Sequence, residues 1–494
     1  MKYLLGLDIG SSSVKACLLD AESGRVVAAA QSPKEEMRIQ SPEPGFAEQD
    51  PDQWWAELVH AMAEIRGKVD LKQGELGGIG ISYQMHGLVS VDAAGKPVIP
   101  AIIWCDGRAV KWGDAAFEAL GRDYCLQHYL NSPGNFTASK LKWVREHNPE
   151  AYAKIHRFML PGDYIAFKLT GEMQTTVSGL SEGILWDYLE SGPAQKLMDH
   201  YGIEAGKLSP LTPQFGIQGR VTETAAALTG IPAGTPVTYR AGDQPNNAWS
   251  LNVLNPGEIA ATAGTSGVVY GITDQPLYDL QSRVNAFVHV NHLPEAPRFG
   301  VLLCVNGTGI LNSWLRQQVL QGMDYPQINA LASTVPAGAD GLFFYPFGNG
   351  AERVLANADP GASLKGLQFN RHTRAHLARA AQEGIVFALQ YGMEIMRDMG
   401  MQVRKVRAGY ANMFLSPLFA DAFTQVSGAT LELYNTDGAQ GAARAAGYGA
   451  GLYATPEACF LGMEKVQSLE PDPGRRSEYG ELYHKWKEGL RIAG

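Results

Sequence analysis

Residues Leu4–Leu19 read LLGLDIGSSSVKACLL, and residues Glu258–Tyr270 read EIAATAGTSGVVY. In each stretch an apolar segment runs into a turn of Gly, Ser and Thr, and a second apolar segment follows, a pattern that predicts a β-hairpin. Gly10 and Gly264 lie at equivalent points of the two turns, 254 residues apart in a chain of 494. A repeat at about half the length of the chain predicts two duplicated domains.

The two turns also have the composition of an anion-binding site. Small residues let backbone N–H groups close on an anion, and the hydroxyl groups add hydrogen-bond donors. Asp8 stands just before the first turn, where a carboxylate that faces a polyphosphate needs a divalent cation between them. One such hairpin is usually only a turn. Two copies predict duplicated domains that bind one nucleotide.

Composition limits the classes of protein to which the chain can belong. The net charge of −9 disfavours a general nucleic-acid partner, and the five scattered cysteines indicate reduced thiols. Met1 leads directly into a strand, which leaves no room for a signal peptide. The longest apolar stretches, such as Ile259–Ile272, are too short and too rich in Gly and Thr to span a bilayer. We expect a soluble, cytoplasmic protein without a membrane or nucleic-acid partner.

Periodicity predicts a mixed sheet flanked by helices, repeated in each half. The first half has strands at Arg25–Ala30, Leu76–Ser82, Ala101–Trp104 and Val237–Arg240, helices at Asp50–Val69 and Phe136–His147, and further apolar periodicity over Tyr152–Lys168. The second half has a strand at Arg298–Val305 and helices from Gly309, at His376–Met399 and at Gly438–Tyr453. We predict domains at 1–246 and 247–494, with disorder restricted to Glu470–Ser477.

Asp243 ends a predicted strand within Ala241–Ala248 (AGDQPNNA). A carboxylate at a strand end, beside a Pro-Asn-Asn turn, is exposed to a ligand between the domains and can accept the proton of a substrate hydroxyl. The same carboxylate can instead be the N-cap of the helix that begins near Ala248. The residues alone leave both interpretations open.

Two further polar segments follow buried strands. In Tyr83–Gly87 (YQMHG) a Gln and His86 flank a Met, which is typical of a ligand-binding wall, although an ordinary loop histidine fits as well. In Trp104–Arg108 (WCDGR), Asp106 and Arg108 suit the binding of polyol hydroxyls. The alternative for the second segment is a turn that carries an exposed ion pair.

The C-terminal part is rich in Gly and Ala, at Ala408–Asn412 (AGYAN) and Asn435–Arg444 (NTDGAQGAAR). Small residues at the start of a helix allow a flat apolar group such as a purine to approach closely. Close helix–helix packing explains the same residues nearly as well.

Taken together and in order, these motifs resemble those of the FGGY carbohydrate kinases, and most of all the xylulokinase branch. The matching segments are Asp8–Ser13, Gln84–Gly87, Trp104–Arg108, Lys140–Trp143, Gly242–Asp243 and Ala263–Gly267. Two longer stretches, Asn135–Val144 and Gly366–Glu383, are similar to the two signatures of that family. The resemblance extends to about Tyr453.

The resemblance implies two ribonuclease H-like α/β domains of the actin-like ATPase superfamily, with ATP in an interdomain cleft. The implied reaction moves the γ-phosphoryl group of ATP to the O5 hydroxyl of D-xylulose. Asp243 is the implied catalytic base, and Asp8 is the implied ligand of Mg²⁺. The implied sugar contacts are Met85, His86, Asp106 and Asp243. The implied nucleotide contacts are Ser11, Ser12, Gly264, Thr265, Gly409, Asn412 and Gly438. A homodimer is common in the family.

The chain departs from the family pattern at several positions. The adenine loop reads Arg407–Tyr410 (RAGY) where many relatives have Gly-Gly-Gly-Ala, and Asn135 replaces a Gly or an aromatic residue near the sugar. Two other functions therefore stay open. One is a kinase for another ketose or a polyol, such as ribulose or L-xylulose, and the other is a non-catalytic sugar sensor.

Overall fold

The computed structural model describes residues 2–490; Met1 and residues 491–494, which the predicted domain ranges include, lie outside the described residues. The chain divides into two compact units. The first comprises Met1–Asn252, Phe287–Arg298 and Thr436–Met463, and the second comprises Val253–Ala286, Phe299–Asn435 and Glu464–Gly494. The predicted boundary between residues 246 and 247 stays a prediction.

The first 252 residues alternate short strands with helices. The strands are β1 (Tyr3–Ile9), β2 (Val14–Asp20), β3 (Val26–Ser32), β4 (Glu48–Gln49), β5 (Leu76–Tyr83), β6 (Val89–Val91), β7 (Ala101–Ile102), β8 (Arg157–Met159), β9 (Trp186–Asp187), β10 (Gly192–Pro193) and β11 (Val237–Gly242). The helices are α1 (Pro51–Arg66), α2 (Val110–Leu120), α3 (Arg122–Tyr129), α4 (Thr137–His147), α5 (Pro149–Lys154), α6 (Pro161–Thr170), α7 (Val177–Glu182), α8 (Gln195–Tyr201), α9 (Glu223–Thr229) and α10 (Asp243–Ser250).

The rest of the chain has longer helices. The strands are β12 (Glu258–Ala263), β13 (Gly267–Thr273), β14 (Asn285–Val288), β15 (Phe299–Val305), β16 (Phe343–Tyr345), β17 (Ser363–Lys365), β18 (Lys405–Gly409), β19 (Thr430–Tyr434) and β20 (Lys465–Leu469). The helices are α11 (Gly309–Trp314), α12 (Tyr325–Ser333), α13 (Arg374–Asp398), α14 (Pro417–Ser427), α15 (Gly438–Gly449) and α16 (Pro473–Gly489).

The same sheet topology occurs in both units. In the first unit the order is β3-β2-β1-β5-β11, in which β3, β2 and β1 are antiparallel and β1, β5 and β11 are parallel. In the second unit β15, β13 and β12 are antiparallel, β12, β18 and β19 are parallel, and β20 adds an antiparallel edge strand. The two predicted hairpins are β1–β2 and β12–β13, so the predicted duplication is confirmed.

Side chains alternate along β1, so that one face of the strand points into the hydrophobic core and the other face points toward α15. Leu5, Leu7 and Ile9 are fully buried in the hydrophobic core that includes the apolar face of α1. Gly6 lies on the opposite face, against α15, where a Cβ would be 1.8 Å from the Ala439 carbonyl oxygen. Only glycine permits this approach.

Close packing also explains the small residues of α15. A Cβ at Gly80 of β5 would lie 1.9 Å from the Ala442 carbonyl oxygen, and a Cβ at Gly441 would lie 2.5 Å from Cβ of Ser250 in α10. The Gly and Ala residues therefore bring α15 onto the sheet and against α10. This packing supports the structural interpretation of the Gly-rich segment and brings the N-terminus of α15 to the end of β1.

The prediction of disorder at Glu470–Ser477 is wrong. Pro473 occupies the first turn of α16, and the Asp472 side chain caps the helix by accepting a hydrogen bond from the Arg475 N–H at 2.9 Å. The apolar periodicity over Tyr152–Lys168 is divided among α5, β8 and α6, since Pro161 begins a new helix.

Candidate active site

Asp8 lies near the end of β1, on the face that carries α15. Its Oδ1 accepts a hydrogen bond from the Ser82 hydroxyl at 2.8 Å. The α-carbon of Gly438 packs so closely that a Cβ there would lie 2.8 Å from Asp8 Oδ2. Burial raises the pKa of Asp8, against the opposing effects of Lys15 and Ser82, and the negative charge of Asp437 raises it further. The electrostatic environment favours a cation beside this carboxylate.

Asp243 follows β11 and is the first residue of α10. The N-cap is Gly242 and no side-chain cap bond is present, so the interpretation of Asp243 as an N-cap is wrong. Its Oδ2 accepts a hydrogen bond from the Gln244 amide at 3.1 Å. Removal from water, followed by the negative charge of Asp8, raises the pKa of Asp243 to about 7. A half-buried carboxyl group with this pKa suits proton transfer near neutral pH.

The Tyr83–Gly87 segment leaves β5 and presents His86 in a left-handed backbone conformation, with φ of 61°. The His86 carbonyl accepts a hydrogen bond from the buried Lys140 ammonium group at 2.8 Å, and His86 Nδ1 lies 2.9 Å from the Glu182 carbonyl oxygen. The imidazole packs edge-to-face on the Phe136 ring at 4.8 Å. Met85 beside it is buried. His86 is thus half-buried and held from several sides.

Asp106 and Arg108 form a buried ion pair, so the alternative of an exposed ion pair is wrong. The guanidinium group of Arg108 donates to both carboxylate oxygens at 2.7 to 2.9 Å and also contacts Glu48 at 2.8 Å. The backbone N–H of Ala47 donates to Asp106 Oδ2 at 2.5 Å. The Asp106 side chain has no accessible surface. Its contact with a sugar therefore stays a prediction that depends on the resemblance.

The same segment contacts the first hairpin turn. The Trp104 side chain is 43% exposed, and its indole N–H lies 3.4 Å from the Ser11 hydroxyl. The Asn135 amide donates to the Asp106 carbonyl oxygen. Ser11 is half-buried and Ser12 is exposed, so both hydroxyl groups reach the surface of the turn.

In the second unit, Gly264 and Thr265 lie in the turn between β12 and β13. Their carbonyl oxygens accept hydrogen bonds from the N–H groups of Gly309, at 2.9 Å, and Ile310, at 3.1 Å, at the start of α11. A Cβ at Gly264 would lie 3.6 Å from the Asn412 amide nitrogen. The structure therefore brings Gly264 and Asn412, two of the predicted nucleotide contacts, close together.

The predicted adenine loop, Arg407–Tyr410, is held by the neighbouring strands. Arg407 forms ion pairs with Glu258 at 3.3 Å and Glu432 at 3.2 Å. Gly409 ends β18, and the next N–H, that of Tyr410, donates to the Tyr434 carbonyl oxygen at 2.8 Å. Arg407, which stands where the resemblance implies a glycine, is thus paired with carboxylates of the neighbouring strands.

Sequence reasoning missed Ser82, Lys15, Asp437 and Glu182 as parts of this site. Ser82 and Lys15 lie on strands beside Asp8, so strand register is the signal that identifies them. Asp437 stands directly before α15 and caps it. Glu182 has no local signal, because it ends a short helix far along the chain from its contacts.

Within residues 2–490, no group of three or more His, Cys, Asp or Glu side chains is arranged to hold a metal ion. Among the helices of the described chain, none has the length and apolar character needed to cross a membrane.

Comparison with known proteins identifies the family. The model of the N-terminal domain of the FGGY family of carbohydrate kinases matches residues 3–248, and the model of its C-terminal domain matches residues 259–450. The xylulose kinase of Bacillus subtilis is 29% identical over 99% of this chain and 96% of its own length. The xylulose kinase of Haemophilus influenzae is 30% identical over 84% of this chain and 85% of its own.

The solved structure of the xylulose kinase from Rhodospirillum rubrum superposes with a TM-score of 0.86 at 26% identity, covering 99% of this chain and 98% of that one. The fold is therefore the two-domain α/β fold predicted from the sequence. With family models over both halves and relatives similar along nearly their full length, the chain belongs to the FGGY family of carbohydrate kinases.

Proposed function

We propose that this carbohydrate kinase transfers the γ-phosphoryl group of ATP to D-xylulose, giving D-xylulose 5-phosphate and ADP. Similarity to the xylulose kinases of Bacillus subtilis and Haemophilus influenzae supports this substrate. The single observation that carries the mechanism is Asp243, a half-buried carboxyl group with a pKa raised to about 7, which directly follows the edge strand β11.

In the proposed mechanism Asp243 accepts the proton of the sugar O5 hydroxyl as that oxygen attacks the γ-phosphorus. The bond between the γ-phosphorus and the bridging oxygen breaks, and ADP leaves. Such a reaction needs little covalent help from the protein, so alignment and charge neutralisation dominate. A base whose pKa lies near the working pH combines a sufficient ionised fraction with useful proton affinity.

The residues around Asp8 fit Mg²⁺. Mg²⁺ is usually held by one or two carboxylates together with waters and substrate phosphates. Asp8 has a carboxylate whose pKa is raised by burial and by Asp437, so a cation beside it relieves an unfavourable charge. Bound there, Mg²⁺ would neutralise charge on the phosphates of ATP.

We assign the remaining contacts as follows. Met85 and His86 would border the sugar, and Asp106 would act near it through its buried pair with Arg108. Phosphate contacts would come from Ser11, Ser12, Gly264 and Thr265, and the adenosine would lie near Gly409, Asn412 and Gly438. A cytoplasmic location and a homodimer stay predictions.

The test is ADP release by the purified protein with ATP and Mg²⁺, with and without D-xylulose, beside D-ribulose, L-xylulose, L-ribulose and a set of polyols. Strong stimulation by D-xylulose, with the 5-phosphate identified by ³¹P NMR, is the expected result. Stimulation by another sugar would keep the mechanism and change the substrate. ATP turnover that ignores every sugar, and that survives Asp243→Asn, would refute the proposal.

A further inference from the structure

Glu182 connects the two segments that carry the proposed sugar site. It is the last residue of α7 and only 2% exposed. Its carbonyl oxygen lies 2.9 Å from His86 Nδ1, and its Oε1 lies 3.5 Å from the His86 backbone nitrogen. On its other side Oε2 lies over the α-carbon of Gly242, where a Cβ would be 2.3 Å away. One buried side chain thus separates His86 from the residue that precedes Asp243.

The contact with the carbonyl group decides which nitrogen of His86 carries hydrogen. A carbonyl oxygen only accepts hydrogen bonds, so Nδ1 must be the N–H donor in this pair. In the neutral ring Nε2 then carries the lone pair and is the acceptor nitrogen. A polyhydroxy sugar offers O–H donors of the matching kind.

The backbone of His86 needs this support. A left-handed conformation in a residue other than glycine is unfavourable unless surrounding contacts hold it. The His86 carbonyl is held by Lys140 at 2.8 Å, and the N–H and ring of His86 face Glu182. Loss of the Glu182 carboxyl group would remove the oxygen that faces the His86 N–H.

The groups around Glu182 are acidic. They are Asp243, Asp163 and the Tyr83 hydroxyl, and Asp163 is itself paired with Arg240 at 3.1 Å. Burial, with the negative charge of Asp243 next, raises the pKa of Glu182 well above its usual range. This shift favours the protonated carboxyl group, which adds no negative charge beside Asp243.

We propose that Glu182 is a positioning residue that holds His86 and the Gly242–Asp243 step in one rigid arrangement, so that His86 Nε2 accepts a hydrogen bond from a sugar hydroxyl. This inference rests on the proposed function, since it deepens the description of the same sugar site. It assigns no chemical step to Glu182.

The first experiment compares Glu182→Gln with Glu182→Leu in the full-length protein. Gln keeps a neutral polar group of the same shape, so we expect a sugar KM within about twofold of wild type and an unchanged acid limb of the pH profile. Leu removes the polar contact with the His86 N–H, so we expect the sugar KM to rise about fivefold or more while the KM for ATP stays within about twofold. Glu182→Ala, which adds no bulk, gives the same test if the Leu variant does not fold.

The matched control is Glu352→Gln and Glu352→Leu. Glu352 is another buried glutamate that accepts backbone hydrogen bonds, but from Asn306 and Gly307. These variants control for the loss of a buried carboxyl group, and we expect no selective rise in sugar KM. A sugar KM unchanged in Glu182→Leu, or an acid limb that moves in Glu182→Gln, would overturn the proposal.

A second measurement does not depend on turnover. Spectra of ¹⁵N-histidine-labelled protein, with His86→Gln to assign one signal among 11 histidines, report which ring nitrogen carries hydrogen. We expect Nδ1–H and a bare Nε2. A neutral His86 with hydrogen on Nε2 would overturn the inference even in an active kinase, whereas failure of every sugar to stimulate ADP release would refute only the proposed function.

Discussion

The substitution Gly242→Ala tests the packing around the candidate base. Gly242 has φ of −56° and ψ of 153°, which alanine adopts without strain, so any effect must come from the added methyl group. That methyl group would lie 2.3 Å from Glu182 Oε2 and 2.5 Å from Met85 Cγ. Ordinary contacts begin near 3.4 Å, so the two approaches are too close by about 1 Å.

Both neighbours are buried and cannot move into solvent, so part of the displacement must fall on the Gly242–Asp243 step. Overpacking of this kind lowers the free energy of unfolding by about 1–3 kcal/mol. A misplacement of about 1 Å in a catalytic group lowers the rate about 100-fold. We therefore expect a folded protein whose kcat/KM for the sugar falls about 100-fold.

The assay is ADP release at varied sugar concentration, with urea unfolding measured on the same preparations. Gly206→Ala is the control, since a Cβ at Gly206 meets no atom within 4 Å. It should match wild type in both measurements. Wild-type kinetics in Gly242→Ala would show that Glu182 and Met85 yield without moving Asp243, and would refute this reasoning.

Further predictions concern the carboxylates and the strand packing. Asp243→Asn should lower sugar-dependent turnover by several orders of magnitude and keep ATP binding, because it removes the proton acceptor. Retention of a tenth of the wild-type rate would exclude Asp243 as the catalytic base. In the wild type, kcat/KM for the sugar should fall as the pH decreases through about 7, because protonated Asp243 cannot accept a proton; an acid limb near pH 4 would contradict this. Asp8→Asn should move the Mg²⁺ titration to higher concentration, and an unchanged titration would count against Asp8 as the ligand. Gly80→Ala should lower the free energy of unfolding, measured in urea, by about 3 kcal/mol, because its Cβ would lie 1.9 Å from the Ala442 carbonyl oxygen. The control is Gly480→Ala in α16, where a Cβ meets open space, and this change should be neutral or stabilising.

Local patterns were sufficient for the parts of the site that stand at strand ends. Asp8 was predicted because it stands just before a Gly-Ser turn, and Asp243 because it stands at the end of a predicted strand, and both signals are visible in a single short segment. Glu182 was missed because its partner His86 lies 96 residues away, and a buried glutamate in a six-residue helix has no periodic signal of its own. Disorder was wrongly predicted at Glu470–Ser477, where Asp472 and Pro473 are local signals for the start of α16.

The sequence by itself determined the two hairpins, the alternating faces of their strands and the family motifs, since each depends on neighbours within a few residues. Tertiary structure alone decided that the Asp106–Arg108 ion pair is buried, that α15 packs on glycines of the sheet, and that the pKa of Asp243 lies near 7. These properties depend on burial and on charges from distant segments. The physical reason is that desolvation and close packing exist only after the chain has brought those segments together.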